Sequence, residues 1–493
     1  MSPESSKDLL AYTPMLHARM FIETVKFRDH HFQPTRSGLA TPAKRSTNGP
    51  PPDLYLDGHP KIDRPLFVQF CANSPDELLE AARYVEPFCD AVDLNLGCPQ
   101  GIAKRGNYGA FLQEDWDLIY KLINKLHLNL DVPVTAKMRI LESKEKTLEY
   151  AQMILSAGAS VVTVHGRQRD QKGHKTGMAD WSVLRYLRAN LPPDTVIFAN
   201  GNILRHGDIH QCLKETGADG VMSAEGNLYD PAIFAKPPDA GSDEREYWRG
   251  RDGRGGYRVD AVFRRYMDIL YEYVLERPSP ARKPLFLPSD PLAQEISVTS
   301  NGVAEDDCEP PAKKRKRDSK QLKPTSPNLL AMQPHLFHLL RPLVTKYHNV
   351  RDALGRSRPG DIAAFENVLQ MVEAVVKEGI LDYEADPAKY EESDLPDEKE
   401  QAANLDKEES SVATIKECKR PWWVCQPYVR PLLKEALAKG SLTMSKKDKR
   451  KLEEEKVLAK ATTEQGGKSA REQLDEEDGM NQEEMPKEAM VAG

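Results

Sequence analysis

Between residues 9 and about 229 short apolar runs alternate with amphipathic stretches, so the hydrophobic period switches repeatedly between that of a strand and that of a helix. The runs at 9–16, 65–70, 91–98, 132–140, 160–166, 195–201 and 220–226 are close to continuous in Val, Ile, Leu and Phe. Such runs predict parallel strands covered on both faces. Between them the spacing is helical. Ser74-Pro75-Asp76-Glu77 supplies an N-cap serine, a proline at the first helical position and a glutamate in capping-box register. Leu118-Ile119, Leu122-Ile123 and Leu126 form one face of a second helix, and residues 151–154 lie in a third.

A repeated strand–helix pattern fits a (β/α)8 TIM barrel or a doubly wound sheet. The polar residues decide between them. Cys98, Lys137-Met138-Arg139, His165-Gly166-Arg167, Asn200-Gly201-Asn202 and Ala224-Glu225-Gly226 fall at the C-terminal ends of successive strands. A barrel gathers its chemistry on that face from many strands. A doubly wound sheet uses one switch point and a GxGxxG turn, and this chain has no GxGxxG. The expectation is therefore an α/β chain with a TIM-barrel domain over 9–240 and a Pro- and Ser-rich loop insertion over 33–60.

Beyond Tyr229 the pattern reads as helical only. Apolar faces at 257–276, 329–346 and 363–376 predict a small all-helical domain over 245–382, interrupted at 287–327 by a disordered segment that carries the basic cluster Lys313-Lys314-Arg315-Lys316-Arg317. An acidic linker (383–420), an aromatic motif (421–436, with Pro421-Trp422-Trp423-Val424-Cys425-Gln426-Pro427-Tyr428) and a charged disordered tail (437–493) complete the chain. For the tryptophan pair, packing onto the barrel is favoured over stacking on a base.

Composition changes this picture in two places. The net charge of −7 does not point to nucleic acid, but the acidic residues concentrate in the segments read as disordered, so a binding surface has to be judged on the folded parts. Seven cysteines without a CxxC pair argue against a disulfide scaffold or a structural zinc site. No apolar run approaches the roughly 20 residues that cross a bilayer. A reducing compartment, cytoplasmic or nuclear, is expected, and the basic cluster suits nuclear import as well as a solvated loop.

A lone cysteine is most often a small buried hydrophobe. Cys98, between Gly97 and Pro99 at a strand end and ahead of a Gly- and Lys-containing loop, is constrained at the reactive face instead. A free thiol titrates at about 8.5, so at neutral pH it can act as an acid as well as a nucleophile. Lys137, Arg139, His165 and Arg167 converge on one rim, as an anionic, aromatic ligand would require. Asn200-Gly201-Asn202 and Ala224-Glu225-Gly226 end the last two strands, where small residues let backbone N–H groups approach a phosphate. Together these suit flavin mononucleotide (FMN), which supplies the hydride that side chains cannot.

The residues Val68-Gln69-Phe70, Asn95-Leu96-Gly97-Cys98-Pro99-Gln100, Ala103-Lys104-Arg105-Gly106, Thr135-Ala136-Lys137-Met138-Arg139, Val164-His165-Gly166-Arg167, Ala199-Asn200-Gly201-Asn202 and Met222-Ser223-Ala224-Glu225-Gly226 resemble the tRNA-dihydrouridine synthase family. Tyr12-Thr13-Pro14-Met15, His335-Leu336-Phe337, Asn349-Val350-Arg351-Asp352 and Trp423-Val424-Cys425-Gln426-Pro427-Tyr428 resemble its eukaryotic branch acting on D-loop uridines 16 and 17. The resemblance implies FMN held by Gln69, Lys137, His165, Asn200, Gly201, Asn202, Ala224 and Glu225, with NADPH or NADH as reductant. It implies Cys98 as the catalytic acid and Asn95, Lys104, Arg105, Arg139 and Arg167 as contacts to a uridine taken out of the RNA fold or to its phosphates. The partner is then tRNA, with no membrane, no structural metal and a monomeric chain.

One departure stands against this family pattern. Members begin with a strand carrying Ala-Pro-Met, whereas this chain begins at what matches their second strand; the expectation is an incomplete sequence and an open seven-strand barrel. Two rival readings remain: a non-catalytic tRNA-binding protein, and an FMN barrel reducing a small molecule.

Overall fold

The computed structural model describes residues 9–35, 38–39, 57–242, 244–251, 253–290, 326–391, 411–431 and 435. The basic cluster at 313–317, the acidic stretch at 392–409 and the tail from 436 lie outside the described residues.

Seven strand positions follow one another in a parallel sheet. β1 (Ala11–Tyr12) and β2 (Leu16–His17) both pair with β3 (Leu66–Cys71), so the first position is one strand broken at Thr13-Pro14-Met15. A proline cannot donate to a ladder, which accounts for the break. The sheet continues through β4 (Ala91–Leu96), β5 (Val134–Arg139), β6 (Val161–His165), β7 (Val196–Asn200) and β8 (Gly220–Met222). Among the described residues no pairing joins β8 back to β1 or β2, and the sheet is an open barrel. Helices α1 (Ala18–Glu23) and α2 (Val25–His31) follow β2, and α3 (Pro75–Val85), α4 (Gly101–Gly106), α5 (Trp116–His127), α6 (Lys144–Ser156), α7 (Trp181–Asn190), α8 (His206–Thr216) and α9 (Glu225–Tyr229) follow the later strands. Ser74 caps α3 as the sequence predicts, its side chain accepting from the Glu77 N–H at 3.4 Å with Pro75 in the first turn.

The strands are less uniform than their apolar content suggests. Registers Gln69↔Asp93, Asp93↔Thr135, Asn95↔Lys137, Lys137↔Thr163, Arg139↔His165 and His165↔Asn200 place these side chains on one face, because alternate residues of a strand share a face and paired residues match. That face is the barrel interior. The intervening Val92, Leu94, Ala136, Met138, Val162, Val164, Ile197 and Ala199 are buried in the larger apolar core, with apolar residues of the covering helices. The strands therefore do alternate, polar inward and apolar outward, because this interior is built as a site.

Three further sequence expectations need correction. The stretch after Pro99 is the helix α4, ended by Asn107 in the left-handed region (φ 49°), where an Asn is tolerated better than most residues. The region after Tyr229 is not purely helical: β9 (Tyr247–Arg249) and β10 (Gly255–Tyr257) form an antiparallel ribbon whose turn carries Gly250 and Gly253. The apolar face at 329–346 is two helices, α10 (Val259–Ile269) being followed by α11 (Pro327–Leu339) and α12 (Arg341–Lys346). Pro342 sits in the first turn of α12, where its missing N–H does no harm, and it prevents α11 from running on.

α13 (His348–Arg356) and α14 (Ile362–Ala385) complete a second apolar core around Phe263, Met267, Leu336, Leu343, Phe365 and Val372. The tryptophan motif belongs to this core and not to the barrel. Trp423 is fully buried in it, the Val259 N–H donates to the Trp423 carbonyl at 2.9 Å, and the Cys425 N–H donates to that of Tyr257 at 2.8 Å. The motif thus extends the ribbon edge, and Gly379 of α14 makes room for it. A Cβ there would stand 2.6 Å from Trp422 and 2.7 Å from Trp423. Among the described residues no helix is long and apolar enough to cross a membrane, and no cluster of His, Cys, Asp and Glu could hold a metal ion.

Candidate active site

A buried carboxylate missed by the sequence reading lies at the base of the site. Asp93 is fully buried on β4. Its Oδ1 accepts from Thr135 Oγ1 at 2.6 Å and its Oδ2 from Gln69 Nε2 at 2.8 Å. Gln69 Oε1 accepts from Asn95 Nδ2 at 2.8 Å, and Asn95 Oδ1 accepts the N–H groups of Gly97 and Cys98, each at 3.0 Å. The amide orientations are fixed from both ends of this chain, since a carboxylate only accepts and a backbone N–H only donates. Burial raises the Asp93 carboxyl above its ordinary value, against the two hydrogen bonds and the nearby Lys137 charge. The signal that finds Asp93, Thr135 and Thr163 in the sequence is the period-two alternation in Asp93-Leu94-Asn95-Leu96, Thr135-Ala136-Lys137-Met138-Arg139 and Thr163-Val164-His165.

Cys98 follows β4, half-buried in a small apolar cluster with Cys71, Ala103 and Tyr108. Its loop is held from three sides. Asn95 takes two of its N–H groups, Arg139 Nε donates to the Gly97 carbonyl at 2.7 Å, and the Ala110 N–H donates to the Cys98 carbonyl at 3.1 Å. Arg139 Nη1 also donates to the Gln168 carbonyl at 2.9 Å, and Lys172 Nζ to that of Pro99 at 2.6 Å. Arg139 is buried and braces the loops after β4 and β6 against each other.

Beside it stand Lys137, His165 and Arg167. Burial first, and then the Arg139 charge, bring the Lys137 ammonium down to about 8. Burial and the Lys137, Arg139 and Arg167 charges push His165 far below its ordinary range, so its ring is neutral. Arg167 is lowered to about 10, mainly by burial and then by Arg139. Its Nη1 lies 3.2 Å from His165 Nε2, and its Nη2 donates to Asn202 Oδ1 at 2.7 Å and to the Gly177 carbonyl at 2.9 Å. Asn202 Oδ1 also accepts from the Ala179 N–H at 3.0 Å, and Asn200 Nδ2 donates to the Met222 carbonyl at 2.8 Å. Ala224 precedes α9, and Glu225, its first residue, pairs with Arg430 Nη2 at 2.7 Å. The structure thus brings together Gln69, Asn95, Cys98, Lys137, Arg139, His165, Arg167, Asn200, Gly201 and Asn202. Lys104 and Arg105 instead stand exposed on α4.

This donor set suits an anionic cofactor. Lys137, Arg139 and Arg167 gather positive charge together; burial first and then the Arg139 charge lower the proton affinity of Lys137 and Arg167, and the buried Asp93 carboxyl opposes this at Lys137. Gly201 provides a close approach. At φ 114° a Cβ there would stand 2.7 Å from Ala179 and 3.1 Å from His165. The substitution Gly201→Ala is expected to cost about 1–3 kcal/mol and to displace the imidazole, measurable as a lower melting temperature together with weaker flavin binding.

Lys137 gives a pH signature. Its folded value of about 8 lies below the unfolded 10.5, so the folded state holds this proton less tightly. The resulting penalty is fully present below pH 8 and is relieved as pH rises to 10.5. Without ligand, Lys137→Met should flatten the rise of unfolding free energy with pH across that window. An unchanged slope would contradict the assignment.

The dihydrouridine synthase (Dus) family profile matches residues 1–249. The chain is 40% identical over 428 residues to the tRNA-dihydrouridine(16/17) synthase [NAD(P)(+)] of Saccharomyces cerevisiae, a match covering 86% of this chain and 78% of the relative. This chain belongs to the dihydrouridine synthase family. The corresponding Schizosaccharomyces pombe protein is 38% identical over 424 residues, covering 86% of this chain and 82% of its own length. A Rattus norvegicus protein, tRNA-dihydrouridine(16/17) synthase [NAD(P)(+)]-like, matches at 46% over 227 residues, 46% of each chain. The two yeast matches extend past the 249 residues of the profile, so the likeness includes sequence beyond the barrel.

Proposed function

We propose that this chain is a tRNA-dihydrouridine synthase that reduces the C5=C6 bond of D-loop uridines 16 and 17, using FMN and NAD(P)H. The observation that carries the reading is the half-exposed Cys98 thiol, fixed by Asn95 and Arg139 at the mouth of the cationic interior. The yeast relatives, similar over most of their length, carry that activity in their names.

Gln69, Lys137, His165, Asn200, Gly201, Asn202, Ala224 and Glu225 would hold FMN. When bound and reduced by NAD(P)H, FMN supplies the hydride for uracil C6. Cys98 holds the proton for C5 on its Sγ. Asn95 orients the cysteine loop through its Oδ1 and, with Arg139 and Arg167, would meet the uracil edge or adjacent phosphates. Lys104 and Arg105, exposed on α4, are available to the RNA backbone as point charges. The neutral His165 offers a hydrogen bond without adding a fourth charge. Acting on a base held in folded RNA requires drawing it out of the fold and up to Cys98.

Dihydrouridine mapping in tRNA from cells lacking the gene tests the proposal. Loss at positions 16 and 17, restored by the wild-type gene, is the expected result; unchanged D-loop uridines would refute it.

A further inference from the structure

A series of hydrogen bonds joins the floor of the interior to the thiol loop. Asp93 Oδ2 accepts from Gln69 Nε2 and Gln69 Oε1 from Asn95 Nδ2, both at 2.8 Å, and Asn95 Oδ1 accepts the Gly97 and Cys98 N–H groups at 3.0 Å. Every link has a direction. The two backbone N–H groups only donate, so Asn95 turns its oxygen to them and its NH2 to Gln69. Gln69 then turns its oxygen to Asn95 and its NH2 to position 93. An acceptor at 93 completes the series.

Both ends of the Asp93–Gln69 link are fixed. Thr135 Oγ1 donates to Asp93 Oδ1 at 2.6 Å and keeps the carboxylate from swinging away. Thr13 Oγ1 accepts the Gln69 N–H at 3.0 Å, which holds the backbone behind the amide. Asp93 is fully buried and Gln69 only 7% exposed. An apolar side chain at 93 would therefore strand a buried N–H, a cost that Gln69 relieves by turning away from Asn95.

The geometry points to Asp93 as a positioning residue for Cys98: its acceptor oxygen, acting through Gln69 and Asn95, holds the thiol loop at the mouth of the interior. It acts by that oxygen and not by its charge, which distinguishes it from a counter-ion for Lys137. The consequence for uridine reduction rests on the proposed role of Cys98 as the acid; the hold on the loop does not.

Alkylation of Cys98 by iodoacetamide in the flavin-free, full-length protein, followed by peptide mass spectrometry, reads the hold on the loop without any turnover. Asp93→Leu should raise the Cys98 rate by at least about threefold. Asp93→Asn keeps an amide oxygen for Gln69 and offers its NH2 to the Thr135 hydroxyl, and it should stay within about twofold of wild type. Gln69→Leu breaks the series at its middle and should also accelerate alkylation. The double variant Asp93→Leu/Gln69→Leu should be no faster than Gln69→Leu alone, because Asp93 acts through Gln69. Melting temperatures serve as the folding control, and Asp93→Ala takes the place of Asp93→Leu if that chain does not fold. At saturating FMN, single-turnover reoxidation of the reduced flavin by tRNA should slow by about tenfold in Asp93→Leu and by less than about threefold in Asp93→Asn.

A Cys98 rate no faster in Asp93→Leu than in wild type would overturn the inference. Equal acceleration in Asp93→Leu and Asp93→Asn would do the same, since it makes the charge the cause, as would a double variant faster than Gln69→Leu. Normal reoxidation in a faster-alkylating Asp93→Leu would separate the hold on the loop from the chemistry. A wild type that tRNA does not reoxidise would sink the proposed function and leave the alkylation result standing.

Discussion

Replacing Cys98 with alanine is expected to slow uridine reduction by about 10²–10⁴-fold, the range that positioned general acids contribute. The effect should be chemical and not structural. The Cys98 loop is held by backbone atoms: its N–H and that of Gly97 go to Asn95, its carbonyl accepts from Ala110, and the Gly97 carbonyl accepts from Arg139. The side chain adds only packing against Cys71, Ala103 and Tyr108. Cys98→Ala should therefore bind flavin and tRNA with near wild-type affinity, and its flavin should still be reduced by NAD(P)H. Single-turnover reoxidation of the reduced flavin by tRNA is the step that should fail. Serine at position 98 keeps a donor of poorer acidity and should fall between the two. Normal reoxidation in Cys98→Ala would remove the thiol from the reaction.

The second large effect is expected far from the chemistry. Trp423→Ala should cost about 3–5 kcal/mol of stability, as truncation of a fully buried large aromatic does. Trp423 packs with Tyr383 and Tyr390, their ring centres 6.2 and 4.9 Å away, and its carbonyl pairs with the Val259 N–H. Its loss opens a cavity beside Gly379, where α14 has no side chain to fill it. Denaturant unfolding reads this loss. A loss under about 1 kcal/mol would mean the motif is not part of this core.

The strand order, the helix starts and the rim residues were legible because each rests on local pattern. The helix signal at Ser74-Pro75 and the strand-end position of Lys137, His165 and Asn200 need no tertiary information. Asp93 and Thr135 were also within reach, but their alternation was masked by the length of the apolar runs around them. Other features were not legible in local pattern. Arg139 and Arg167 look in sequence like free cations waiting for a ligand, yet most of their hydrogen bonds go to loop carbonyls, which only the folded chain brings near. Trp422-Trp423 could have covered any apolar surface; its partner was set by the ribbon Tyr247–Tyr257, which a Gly-rich stretch hid. Arg430 and Glu225 lie 205 residues apart, and no periodicity links them.

The central claim is that Cys98 and the cationic interior together reduce D-loop uridine. Its most direct test combines the purified chain, FMN, NADPH and unmodified tRNA, with dihydrouridine mapped at single-nucleotide resolution. The account predicts dihydrouridine at positions 16 and 17 with wild type and almost none with Cys98→Ala. No dihydrouridine at these positions, or the same amount with both proteins, would contradict it.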